Sequence, residues 1–307
     1  MHACVKCQAA FEGPSWSCPV CGFAPEENGY LRFAPEFESG EGFLEESFDH
    51  LEEVEEGSFW FRARNDVIAW ALRSYFPNAR SLLEVGCGTG YVAAELGRRF
   101  PHLRIAAGDP FDAGVQVAQR RMPGAEVFQI DGRRIPFDAE FDVVGAFDVL
   151  EHVREDALVV QQMGRAVVSG GGVLITVPQH SWLWTPLDEY AQHERRYQRR
   201  QLQRVLEAAG LQVVHMTSFV SLLLPLLLAS RLRQRNKPVD PRSEFDLPRW
   251  ADRTLERVMG VELGLISRGV SFPGGGSLLA IAVRRAASPT IGSAARENER
   301  EERRGSS

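Results

Sequence analysis

Residues Leu82-Leu83-Glu84-Val85-Gly86-Cys87-Gly88-Thr89-Gly90-Tyr91 run from an apolar stretch into three glycines, then into the helical spacing of Val92, Leu96 and Phe100. A strand that ends in glycines and restarts as a helix lets bare backbone approach a ligand. The helix start adds free N–H groups and a positive dipole end. In a dinucleotide-binding GxGxxG pattern the third glycine would stand at position 91, which is Tyr, so the spacing here is GxGxG.

Outward from this loop, apolar runs alternate with helical patterns, as repeated βαβ units require. The sequence predicts strands near 81–87, 104–109, 126–131, 141–148, 173–178, 211–219 and 277–284. Leu202, Val205, Leu206 and Ala209 form one helical face, with Gly210 as its stop. The fold class expected is α/β: a Rossmann-like seven-stranded, mostly parallel sheet with helices on both faces, plus a small N-terminal zinc ribbon. Asp109 ends the second strand, in reach of paired ribose hydroxyls. Asp131 closes the third, where its carboxylate or the Gly132 amide meets an adenine edge.

Glu84 to Gly90 (EVGCGTG), Gly108-Asp109, Asp131, and the run from Phe141 through Asp148 to Val153 resemble the successive motifs of class I S-adenosylmethionine-dependent methyltransferases of the type 11/12 group. The resemblance spans roughly residues 59–285 and implies an antiparallel last strand, with S-adenosylmethionine across the strand C-termini. By position it implies that Glu84, Gly86, Gly88 and Gly90 line the methionine portion, Asp109 the ribose and Asp131 the adenine. Cys87, Pro110, Gly132 and Phe147 complete the implied cofactor set.

Four of the five cysteines lie within the first 21 residues, as Cys4-x-x-Cys7 and Cys18-x-x-Cys21. Two such knuckles let four thiolates converge on one zinc ion, and a closed four-sulfur site is structural or a docking platform for a protein partner. Residues 1–29 are therefore expected to be a separate zinc ribbon. Residues 30–57 read as an acidic connector with a solvated face, 58–287 as the methyltransferase domain, and 288–307 as a disordered tail.

The net charge of −6 across 307 residues leaves no global polyanion footprint, although arginines cluster between Arg195 and Arg204 and between Arg231 and Arg235. No secretory pattern opens the chain, and the cysteine usage suits a reducing compartment. The cytoplasm is the expected location, with peripheral contact at the inner membrane as an addition.

The Asp148-Val-Leu-Glu151-His152 segment has two readings. One is a capping box, Asp148 as N-cap and Glu151 three residues on. The other is a resemblance to the E-x-x-E-H segment of ubiquinone-biosynthesis O-methyltransferases, where acidic residues and His hold a divalent metal near the acceptor. Aspartate in the first position departs from that pattern.

Beyond the fifth strand, residues 182–197 are dense in aromatic and ionisable side chains and should wall the acceptor pocket. The segment resembles the D…H-x-R-R-Y stretch of a bacterial methyltransferase group associated with envelope polysaccharide or lipid pathways. His193 is the candidate general base. Phe59 to Arg64 matches the FWF-x-x-R entry segment of the same group. The apolar insertion at 219–235 is too short to span a bilayer and reads as a buried lid helix, with membrane-surface contact as the alternative.

The expected activity is methyl transfer to an oxygen of a small or amphipathic metabolite. An RNA methyltransferase is the alternative, weakened by the absence of an N-P-P-Y motif. A non-catalytic cofactor-binding adaptor is the third reading.

Overall fold

The computed structural model describes residues 1–37, 47–234 and 247–285, so the expected tail at 288–307 lies outside the described residues. Strands β1 (His2–Ala3) and β2 (Ala10–Phe11) make an N-terminal hairpin, followed by β3 (Glu26–Glu27) and β4 (Leu31–Arg32). Helices α1 (Ser47–Val54) and α2 (Phe59–Tyr75) lead into β5 (Ser81–Val85), α3 (Tyr91–Arg99), β6 (Arg104–Asp109), α4 (Asp112–Arg121) and β7 (Glu126–Gln129). Then come β8 (Phe141–Phe147), α5 (Asp156–Ala166), β9 (Val167–Pro178), α6 (Pro186–Tyr190), α7 (Arg199–Ala208) and β10 (Leu211–Phe219). Helices α8 (Leu224–Gln234) and α9 (Arg249–Ile266) precede the last strand, β11 (Ser277–Arg284).

The seven expected strands pair in the order β10-β11-β9-β8-β5-β6-β7. β11 runs antiparallel to both neighbours, and the other core pairs are parallel. Continuous apolar runs make these strands, because both faces of a parallel sheet are covered. Val67, Ile68, Val92, Leu96, Val115 and Met259 bring α2, α3, α4 and α9 onto one face. Val160, Met163, Leu202 and Leu206 bring α5 and α7 onto the other.

That second face lacks a helix between β7 and β8, and the N-terminal segment takes its place. β4 adds in parallel to β7, and the β3–β4 hairpin extends the sheet to nine strands. Val5 and Phe33 are buried in the same cluster as Phe128 and Phe137. The Trp16 ring lies 4.8 Å from that of Phe33 and 5.6 Å from that of Phe137. Ala3 donates its N–H to Pro136 at 2.9 Å. The ribbon thus covers the sheet edge and shares the core of the large domain.

The ribbon is therefore not the separate module expected, and two further sequence expectations fail here. Helix α8 is not buried: Leu223 beneath its start is covered, but Leu226 is 54% exposed and Leu228 36%. The apolar run supplies an inner rail over the domain and an outer face open to solvent. Glu55, in the supposedly solvated connector, is 4% exposed. α1 folds back so that Glu55 accepts the Thr89 hydroxyl at 2.6 Å and Arg121 at 2.7 Å. The connector therefore braces the glycine loop.

Because the ribbon substitutes for a core helix, stripping its metal is expected to loosen the whole domain. Uncovering Val5 and Phe33 forfeits about 3–6 kcal/mol of apolar burial. Scanning calorimetry with and without a thiol-competing chelator should show a fall in melting temperature of roughly 5–10 °C. A red shift of tryptophan emission should accompany it as Trp16 meets water, and an unchanged melting temperature would show that the ribbon is a mere appendage.

Candidate functional site

The four thiols of Cys4, Cys7, Cys18 and Cys21 converge, with their sulfurs all within 4.8 Å of one another. Cys4 and Cys21 sulfurs stand 3.6 Å apart, as do those of Cys7 and Cys18. Zn–S bonds of about 2.3 Å at tetrahedral angles place sulfurs just under 4 Å apart, so the set fits zinc with no open coordination position.

A separate cavity of about 1520 Å³ opens along the carboxyl ends of β5, β6, β8 and β9. The tight turn after β5 needs glycine: Gly86 has φ 71°, and a Cβ there would meet Val149 Cγ2 at 2.6 Å. The amides of Gly86 and Cys87 both donate to Gly108 O, at 2.7 and 3.0 Å, locking the loop to the next strand. Asp109 is 4% exposed and accepts the N–H of Gly88 at 2.8 Å and of Phe111 at 3.0 Å. Burial pushes its carboxyl up to about 6, against the lowering by those two amides.

Glu84 is buried at the cavity's floor, and its Oε2 has no hydrogen-bond partner among the described residues. Burial pushes its carboxyl up to about 8, although nearby Arg64 pulls the other way. A buried carboxyl with an orphaned oxygen facing a cavity suits an ammonium group, and Asp109 suits ribose hydroxyls. The residues present therefore fit S-adenosylmethionine.

Gly86, Cys87, Gly88, Pro110, Asp131, Gly132 and Phe147 also line the cavity. Asp131 accepts from the backbone and guanidinium of Arg133 at 2.8 and 3.0 Å. Gly90 does not reach the cavity. It begins α3 at φ 72°, and a Cβ there would come within 2.9 Å of Ala118 and Met122, so it serves helix packing.

The cavity continues past β9 to a polar cluster. His193 Nδ1 lies 2.8 Å from Asp188 Oδ1. Asp188 is 2% exposed and also accepts two bonds from Arg196, at 2.7 and 3.0 Å, and two from Thr185. Burial alone would raise this carboxyl, but His193 and Arg196 hold it well below the usual carboxylate range. An ionised Asp188 keeps the His193 proton on Nδ1 and leaves the Nε2 lone pair for the cavity. Glu194 N donates to Glu151 O at 2.7 Å, which sets the His193 ring 4.7 Å from that of His152.

The capping box expected at Asp148 is not formed. Asp148 has φ 58° and its side chain accepts Arg64 at 2.8 Å. Glu151 is 1% exposed, and burial together with neighbouring Asp148 raises its carboxyl well above the usual range. Glu151, His152 and His193 instead bring their ligand atoms within 4.8 Å of one another.

Sequence reasoning missed Glu55, Thr89 and Arg121, which brace the glycine loop, and Phe37 and Phe48, which wall its cavity. An acidic run hides one buried glutamate among solvated ones, so no local signal marked Glu55. Arg64, the last residue of the FWF-x-x-R match, is 8% exposed and lies 4.8 Å over the Trp60 ring.

A parallel sheet with an antiparallel last strand, a glycine turn and acids at successive strand ends defines a class I methyltransferase fold. Residues 48–216, more than half of the chain, match the family described as "Methyltransferase domain", and the chain belongs to it. It is 32% identical over 166 residues to a Mycolicibacterium smegmatis protein named "Probable S-adenosylmethionine-dependent methyltransferase/", covering 52% of this chain and 61% of the relative. It is 24% identical over 168 residues to a ubiquinone biosynthesis O-methyltransferase of Idiomarina loihiensis, covering 46% and 65%. The chain thus spans less than two thirds of each relative. The solved complex between the Haloferax volcanii Trm112 methyltransferase activator and a methyltransferase superposes with TM-score 0.53 at 17% identity, covering 78% of this chain and 97% of that one. That likeness is one of fold.

Glu84 supplies a test of the cofactor geometry. Its raised carboxyl is protonated below about pH 8, and an ammonium beside it favours the ionised form. Titration with S-adenosylmethionine at pH 7 is expected to release up to one proton, read by calorimetry in buffers of different ionisation enthalpy. The release should vanish at pH 9, where Glu84 is already ionised, and in Glu84→Gln at either pH. Equal release from Glu84→Gln would remove Glu84 from the site.

Proposed function

We propose that this chain transfers the methyl group of S-adenosylmethionine to an oxygen of an amphipathic metabolite. The observation that carries this is one continuous cavity joining Glu84 and Asp109 at one end to His193 at the other. The bound cofactor supplies a sulfonium methyl group for in-line displacement, a reaction that needs chiefly alignment and exclusion of water. Glu84, Asp109 and Asp131 hold the donor side.

On the acceptor side, Asp188 orients His193 so that Nε2 takes the hydroxyl proton as the new O–C bond forms. Trp184, Leu187, Leu226 and Leu227 line the cavity around it, which favours an acceptor with an apolar body. The relationship to an O-methyltransferase of ubiquinone biosynthesis points the same way, toward an oxygen on an amphipathic molecule.

Three of the five arginines between Arg195 and Arg204, on which the RNA reading drew, are engaged within the protein. Arg195 pairs with Asp156, Arg196 with Asp188, and Arg199 donates to Met216 O. Of the arginines from Arg195 to Arg204, Arg200 and Arg204 are exposed. The same proposal takes residues 1–29 as a zinc ribbon packed on the sheet, 30–57 as the segment that covers the sheet edge and braces the glycine loop, and 58–287 as the methyltransferase domain. The outer tip of the ribbon, where Val20 is 71% exposed, is the part left to dock a partner. No helix among the described residues is long and apolar enough to cross a membrane. A cytoplasmic location with peripheral contact at the inner membrane is part of the same proposal.

Acceptor screening with radiolabelled methyl donor should find turnover on hydroxylated amphipathic compounds, and turnover on RNA alone would overturn the proposal. On the acceptor so found, His193→Ala is expected to lower kcat by about 10²–10⁴ with cofactor affinity unchanged. Asp188→Asn should lower kcat in the same direction by freeing the ring tautomer, and an undiminished kcat in His193→Ala would remove the base.

A further inference from the structure

The mouth of the acceptor cavity is rimmed by apolar side chains that face outward. On α8, Leu222 just before its start and Leu226 and Leu228 within it are 41%, 54% and 36% exposed. Arg231 of the same helix donates to Leu183 O and to the Thr185 hydroxyl, both at 2.9 Å. That link sets α8 beside the turn carrying Trp182, which is 57% exposed. Leu226 and Leu227 line the cavity together with Leu247 and Leu255, so the start of α9 borders the same opening.

Helix α9 is divided by charge. Asp252 accepts Phe59 N and Arg62, and Glu256 accepts Arg62 as well, so both acids are consumed against α2. Its outer face carries Arg249, Arg253 and Arg257, all exposed and with no ion pair among the described residues, around Trp250 at 73% exposure. A protein of net charge −6 thus turns a local patch of arginine, tryptophan and leucine outward at the opening of its acceptor cavity. Apolar side chains that enter an acyl boundary, tryptophans at headgroup depth and arginines for lipid phosphates are what an interfacial surface requires.

We propose that the outer faces of α8 and α9 dock on an anionic phospholipid bilayer, from which the amphipathic acceptor enters the cavity beside Leu226. The surface rests on the reading of the cavity's far end as an acceptor site and names the phase that supplies the acceptor. Charge selects the occupant: an apolar patch meant for a second copy of this chain would bring its arginines against the same arginines. A bilayer bearing phosphate monoanions meets them with opposite charge.

The test is co-sedimentation of the full chain with vesicles of phosphatidylcholine alone and of phosphatidylcholine mixed with phosphatidylglycerol. Binding is expected only to the anionic vesicles, falling as salt rises. Leu222→Glu/Leu228→Glu and, separately, Arg249→Glu/Arg253→Glu should each weaken it by about tenfold or more. Calorimetric binding of S-adenosylmethionine by each variant shows that it is folded. No sedimentation with anionic vesicles, or variants that bind as well as the parent, would overturn the surface. So would a dimer on light scattering that Leu222→Glu/Leu228→Glu dissociates. Cofactor binding without vesicle binding overturns this surface alone, whereas vesicle binding without cofactor binding overturns the methyl-transfer reading alone.

Discussion

The carboxylate of Asp109 joins the two strand ends on which the rest of the site is built. It is buried, and its two oxygens accept Gly88 N from the loop after β5 and Phe111 N from the turn after β6. A buried carboxyl stripped of those amides would be costly, so the two loops hold one spacing. The Gly86 and Cys87 amides on Gly108 O reinforce it from the backbone side. Glycine at 86 and 90 follows, because both φ angles are positive and both Cβ positions are occupied by other side chains.

A second buried carboxylate, Asp188, organises the far end of the cavity in the same manner. Arg196, Thr185 and His193 converge on it from three points of the segment after β9. With its donors this well matched, the charge stays ionised and His193 has one tautomer and one direction. The Arg64–Asp148 pair, 9% and 17% exposed, closes the wall between the two ends. Each end of the cavity thus depends on a buried acid whose hydrogen bonds are made by the protein itself, while Glu84 between them keeps an oxygen without a partner among the described residues.

The strand pattern, the glycine turn and the acids at strand ends were legible because each is a local requirement of a doubly wound sheet. Strands buried on both faces must be apolar throughout, and the seven expected runs all pair in one sheet. The paired CxxC knuckles were legible for a similar reason, since metal geometry constrains spacing directly. The errors fall where a residue's partner lies far away in the chain. Asp148 and Glu151 have the spacing of a cap, but Arg64 takes the first and burial takes the second. Glu55 looks like its solvated neighbours until Thr89 and Arg121 are beside it.

The chain by itself determined the sheet, the cofactor loop and the four-cysteine site, since periodicity, glycine conformation and ligand spacing act over a few residues. Only the tertiary structure decided that the ribbon stands in for a missing helix on β7, that Asp188 aims His193, and that α8 shows its leucines to solvent. Those outcomes depend on which surfaces meet across more than a hundred residues, and a pattern of apolar and polar positions states that a face must be covered without saying by what.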